Sequence, residues 1–178
     1  MARQGAGVDL NFRISDDAAM ASWGEFVDAK PDLAERGRSL LYRVGVGLAF
    51  LATVRPDGGP RLHPMCPVLS GSGLFAFIIP SPKQKDLRRD GRYSLHSFPT
   101  PDNEDALYLT GRVELIRSRA TRTVLSDQFV AERTLLDVPP PADDDTLFEF
   151  DIARCLLTTT TGHGDFNPSH SVWVEGLT

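Results

Sequence analysis

Apolar positions recur at helical spacing twice before any strand pattern begins. Met20, Trp23, Phe26 and Val27 share one side of a segment that Asp16 and Asp17 can cap and that runs to about Ala29. Pro31 suits the first turn of a second helix, whose stripe of Leu33, Leu40, Leu41 and Val44 ends at Gly45. Ahead of both, residues 1–15 read as a loose arm. Two short helices of this kind cover a sheet or a barrel end.

The pattern then changes to strands. Gly47–Arg55 is mostly apolar, and Pro56-Asp57-Gly58-Gly59 has the chemistry of a hairpin turn. Pro60–Leu69 returns as a second strand, and Pro64 and Pro67, which cannot donate to a ladder, make it an edge or an irregular strand. Ser70-Gly71-Ser72-Gly73 turns into Leu74–Ile79, which completes an antiparallel meander. Ser81–Asp90 is a short helix with Leu87 as its apolar contact and Gly91 behind it. Arg92–Phe98 alternates, with Tyr93, Leu95 and Ser97 on one side. Ala106–Ile116 is a further strand in which Gly111 marks a bulge or bend.

Ser118 caps a helix to about Arg133 that turns Val124, Leu125, Phe129 and Val130 inward. A loop from Leu135 to Asp145 leads to a last strand, Thr146–Thr160. Six or so strands without βαβ alternation predict a mainly β, α+β chain built as a largely antiparallel barrel. A single domain, 1–178, divides into an arm with helices (1–45), a barrel with inserted helices (46–160) and a tail (161–178). No G-x-G-x-x-G follows a strand, so a Rossmann site is not expected.

Charge and composition narrow the function. A net charge of −5 argues against general nucleic-acid binding, while a local basic patch can still hold a small anion. No apolar run approaches a membrane span and no secretory h-region is visible. Cys66 and Cys155 lie far apart in apolar runs and read as reduced packing residues, which fits a cytoplasmic chain.

One stretch, Pro80–Tyr93, concentrates the candidate chemistry. Ser81, Lys83 and Lys85 fall where a helix starts, and the unpaired N–H groups and dipole there favour an anion such as a cofactor phosphate. Ser81 can cap and donate, and the lysines add point charge. Arg88 and Arg89 read as surface residues. Arg61, His63 and Met65 share a strand parity and can line one cleft. His163, Asp165 and His170 fit no standard metal-ligand spacing. Trp173 reads either as a cover for the cleft from a second subunit or as an anchor for the tail. No triad or carboxylate pair stands out, which suits a protein whose cofactor carries the chemistry.

The order LATVRPDGGPRLHPMCPV, GLFAFIIPSPKQKDLRRDGRYSLHSF, LYLTGRVELI, over roughly Gly47–Ile116, resembles the pyridoxamine 5'-phosphate oxidase-like split-barrel flavoproteins and the related reductases that use a deazaflavin coenzyme. The resemblance implies a homodimer of split antiparallel β-barrels with FMN, or the deazaflavin coenzyme, in a cleft at the interface. It places the ring and ribityl chain along Arg61, Leu62, His63 and Met65. It places the phosphate on Arg61, Ser81 and Lys83, with Lys85 close by, and the strand end Ile78-Ile79 beside the cofactor. The implied activity is that of an oxidoreductase on a small substrate, or of a non-catalytic flavin-binding or sensing module. Two departures are visible: Pro82 stands where the true oxidases carry Arg inside the Ser-x-Lys element, and the tail lacks their Arg-Leu-x-Pro substrate motif. Oxidation of pyridoxamine phosphate itself is therefore not expected.

Overall fold

The computed structural model describes residues 19–99 and 101–177. In chain order these form α1 (Trp23–Ala29), α2 (Pro31–Leu41), β1 (Ala49–Val54), β2 (Pro60–Met65), β3 (Val68–Ser70), β4 (Gly73–Ile78), α3 (Pro82–Arg89), β5 (Arg92–Ser97), β6 (Ala106–Leu115), α4 (Arg119–Ala131), a 3-10 turn (Thr134–Leu136), β7 (Thr146–Thr159) and β8 (Ser169–Val174). All eight strands join one antiparallel sheet, in the order β2-β1-β5-β6-β7-β4-β3, with β8 also on β7.

That order forces curvature. β2 and β3 stand at opposite ends of the path yet are joined only through Cys66 and Pro67. Seven strands laid flat would be about 29 Å wide, whereas the step from Met65 to Val68 reaches roughly 11 Å. The sheet must therefore curl until its edges almost meet, while no ladder joins them: a split barrel. The expected Pro60–Leu69 strand is thus two strands, broken where Pro67 cannot continue a ladder, and the expected three-stranded meander is two separate hairpins.

β7 organises the far side. Its first half pairs with β4 and its second with β8, and an isolated bridge from Ala21 to Ile152 fills the gap. The register with β6 slips at Thr110/Gly111, the predicted bulge, and Gly111 is needed there because a Cβ would overlap the carbonyl of Asp151. β8 is a strand that the sequence pattern of the tail does not signal.

The inward residues Leu51, Leu74, Leu95, Leu109 and Phe150 form the main core, and Trp23, Phe26 and Leu41 from α1 and α2 close it from the same chain. Asp16 and Asp17 lie outside the described residues. α1 starts at Trp23 because Ser22 and Glu25 make a capping box, with Ala21 still engaged as a bridge. α4 lies on the outer side of β3 and β4, where Leu125 meets Val68, Phe75 and Leu147. Its Val124 is 62% exposed rather than inward. Because both faces of β4 are covered, its sequence is a continuous apolar run.

On the outer face the registers align Pro64, Phe50, His96, Tyr108, Leu156 and Val172 in one row across six strands. Each of these residues is half-buried or exposed.

Candidate functional site: the seam between an edge strand and a helix start

β2 is fixed to β1 on one side only, so its other edge is open, and Pro60, Leu62, His63 and Pro64 are exposed. Arg61, His63 and Met65 oppose Thr53, Leu51 and Ala49 and so face the same way as the interior side of β1. α3 packs mainly on β1 and reaches β2 through two side-chain contacts. Ser81 caps it, its Oγ accepting the Gln84 N–H at 3.4 Å, Pro82 occupies the first turn, and Gly91, at φ 79°, ends it.

Two contacts stitch α3 to β2 in antiparallel sense. Arg61 Nε donates to Asp86 Oδ2 at 2.7 Å, and Lys83 Nζ donates to the Pro64 carbonyl at 3.1 Å. Arg61 and Lys83 therefore both lie along the seam where α3 meets β2. Asp86 is 3% exposed and also accepts the Thr53 hydroxyl at 3.0 Å, with Arg89 Nη1 at 3.6 Å. Burial alone would raise its pKa, but the hydrogen bonds from Arg61 and Thr53 and the two guanidinium charges hold it below the usual carboxylate range. Burial pushes the Lys83 ammonium down from its ordinary value, partly opposed by the neighbouring Cys66.

The other candidates fall in distinct places. Lys85 is exposed on the same helix. Ser81 gives its hydroxyl proton to the Ile79 carbonyl at 2.8 Å, so capping and that bond already occupy it. Leu62 and Ile79 are 62% and 59% exposed, and Leu62 alternates with Arg61 and His63 and so faces the other side of β2. Met65 and Ile78 have their side chains in the core, at 4% and 1% exposure, and only their backbone can lie beside a ligand. The Ile78 carbonyl already accepts Gln84 Nε2 at 2.8 Å. Arg88 and Arg89 are not merely solvated: Arg88 Nη2 reaches Thr146 Oγ1 at 2.7 Å, and Arg89 donates to the Val54 carbonyl. Both anchor α3 to the barrel.

The remaining features resolve locally. Trp173 is buried against Phe26, with ring centroids 4.9 Å apart, and so anchors the tail within its own chain. His163 Nε2 lies 2.8 Å from the Pro101 carbonyl and His170 Nδ1 lies 3.1 Å from Thr158 Oγ1. Among the described residues no cluster of three or more His, Cys, Asp or Glu is arranged to hold a metal ion. Both cysteines are free, and burial pushes the Cys155 thiol up to about 12. No helix among the described residues is long and apolar enough to cross a membrane.

Sequence reasoning overlooked Asp86, Thr53 and Gln84. The available signal was Asp86 itself, one acidic position within the basic run KQKDLRR that follows a strand carrying an Arg.

No family model and no curated protein matches the chain. Solved structures do. A protein related to general stress protein 26, of the pyridoxinephosphate oxidase family, from Clostridium acetobutylicum is similar at 15% identity and TM-score 0.54 over 85% of this chain and 96% of its own. An F420 reductase is similar at 25% identity and TM-score 0.52, over 66% of this chain and 94% of its own. A heme binding protein from Mycobacterium smegmatis is similar at 15% identity and TM-score 0.55 over 76% of this chain, which spans 56% of that protein's length. The fold is thus the split barrel of the pyridoxamine 5'-phosphate oxidase-like proteins.

Proposed function

We propose that this chain is an FMN-binding oxidoreductase acting on a small substrate, with the cofactor phosphate at the seam between β2 and α3. One observation carries the reading: Arg61 and Lys83, from separate elements, meet along the same β2–α3 seam, and Arg61 uses only its Nε there. Its terminal Nη groups make no other hydrogen bond among the described residues, and they match the oxygens of a phosphate. An ammonium has three donors, so Lys83 keeps two beyond its bond to Pro64. Lys85 adds exposed positive charge at the helix start. The residues present therefore fit a phosphate-bearing cofactor.

Bound FMN would supply hydride chemistry. The chain's part is to hold the phosphate through Arg61 and Lys83 and to offer Leu62, His63 and Ile79 along the open edge. We further propose that a second copy covers this edge and the outer row from Pro64 to Val172, because that row is a broad, partly apolar face. The protein would act as a homodimer with the cofactor at the interface.

The deazaflavin coenzyme is a second reading, supported by the likeness to an F420 reductase. It also carries a phosphate for the same seam. The visible spectrum of the purified protein, followed by separate fluorescence titrations with FMN, the deazaflavin coenzyme and hemin, tests all three possibilities. Saturable FMN binding with reduction by a nicotinamide donor supports the proposal. Binding without reduction by any donor favours a sensing or storage module, and hemin binding alone overturns the flavin reading.

A further inference from the structure

We propose that Asp86 is a positioning residue: it holds the Arg61 guanidinium so that the terminal Nη groups face the phosphate, and thereby sets a preference for phosphorylated over phosphate-free ligands. The inference rests on the phosphate reading of the seam. Thr53 and Arg61 are directly opposed in the β1–β2 ladder, and one carboxylate oxygen of Asp86 accepts from both, at 3.0 Å and 2.7 Å. The guanidinium is a planar, rigid fork, so anchoring Nε fixes the plane in which its outer donors lie. The Arg61 side chain is 26% exposed, and neither of its terminal nitrogens is among the buried unpaired atoms of the described residues.

A buried negative charge beside an anion site would by itself repel a phosphate. Here Arg61, Arg89 and the Thr53 hydroxyl surround it, so the carboxylate is neutralised locally and its remaining effect is orientation. Lys83, one turn before Asp86 on the same helix and bonded to the Pro64 carbonyl, adds positive charge beside Arg61.

The test uses the full chain and two probes, FMN and riboflavin, titrated by flavin fluorescence quenching. Wild type should prefer FMN. Asp86→Ala should lower that preference by about tenfold or more while leaving riboflavin affinity unchanged within about twofold. Asp86→Asn, which keeps an acceptor but loses the charge that grips Nε, should lose about threefold, and that loss should vanish in an Arg61→Ala background. The Asn comparison stands even if Asp86→Ala does not fold. A parallel fall in both affinities, a tighter FMN complex, or an Asn effect that persists without Arg61 would overturn the assignment. A wild type that does not discriminate FMN from riboflavin removes the phosphate reading and the assignment together. Discrimination kept intact in every Asp86 variant removes the assignment alone.

Discussion

Gly47 lies against the backbone of Pro67, so closely that a Cβ on Gly47 would overlap the Pro67 carbonyl oxygen. This contact sits where the two ends of the sheet approach each other, between the entry to β1 and the corner joining β2 to β3. Gly47→Ala should therefore destabilise the chain by about 3 kcal/mol or more, because the obstacle is backbone and cannot swing aside. Urea unfolding checks this. A cost below about 1 kcal/mol would mean the edges are not held as described.

The sheet also carries a strained carboxylate. Asp151 is pushed up to about 6 by burial, with further contributions from Glu149, Glu114 and Glu25. Its native pKa thus exceeds the ordinary value of 3.8, so the folded state binds this proton more tightly than the unfolded chain does. The associated stability is complete below about pH 4 and is lost as pH rises through about 6. Asp151→Asn should stabilise the protein by on the order of 1 kcal/mol at pH 7.5, allowing for partial solvent screening, and by nothing near pH 4. Thermal melts at the two pH values measure the difference; an equal effect at both would contradict it.

Trp173 packs on Phe26 within one chain. Trp173→Ala should cost about 3–5 kcal/mol, and the loss should not depend on protein concentration. A penalty that appears only where a dimer forms would place the indole at a subunit boundary instead.

Much of this architecture is readable from local chemistry. Ser81, Ser118 and Gly91 delimit their helices as expected, and Gly111 marks the bulge. Long-range features are less legible. Pro67 signals irregularity, yet nothing local says that β2 and β3 end on opposite edges, since that depends on strand pairing across the whole chain. β8 hides in a polar segment, SHSVWV, half of which is exposed. At the seam, charge clustering points to Arg61 and Lys83. It cannot reveal that Asp86 folds back under Arg61, or that Met65 and Ile78 turn into the core.

The central claim is that Arg61 and Lys83 together receive a cofactor phosphate, and FMN affinity in Lys83→Ala, set against riboflavin affinity in the same variant, tests it most directly. The account predicts a loss of about 1.5–3 kcal/mol for FMN, roughly ten- to hundredfold, and none for riboflavin. Unchanged FMN affinity in the folded variant would contradict it.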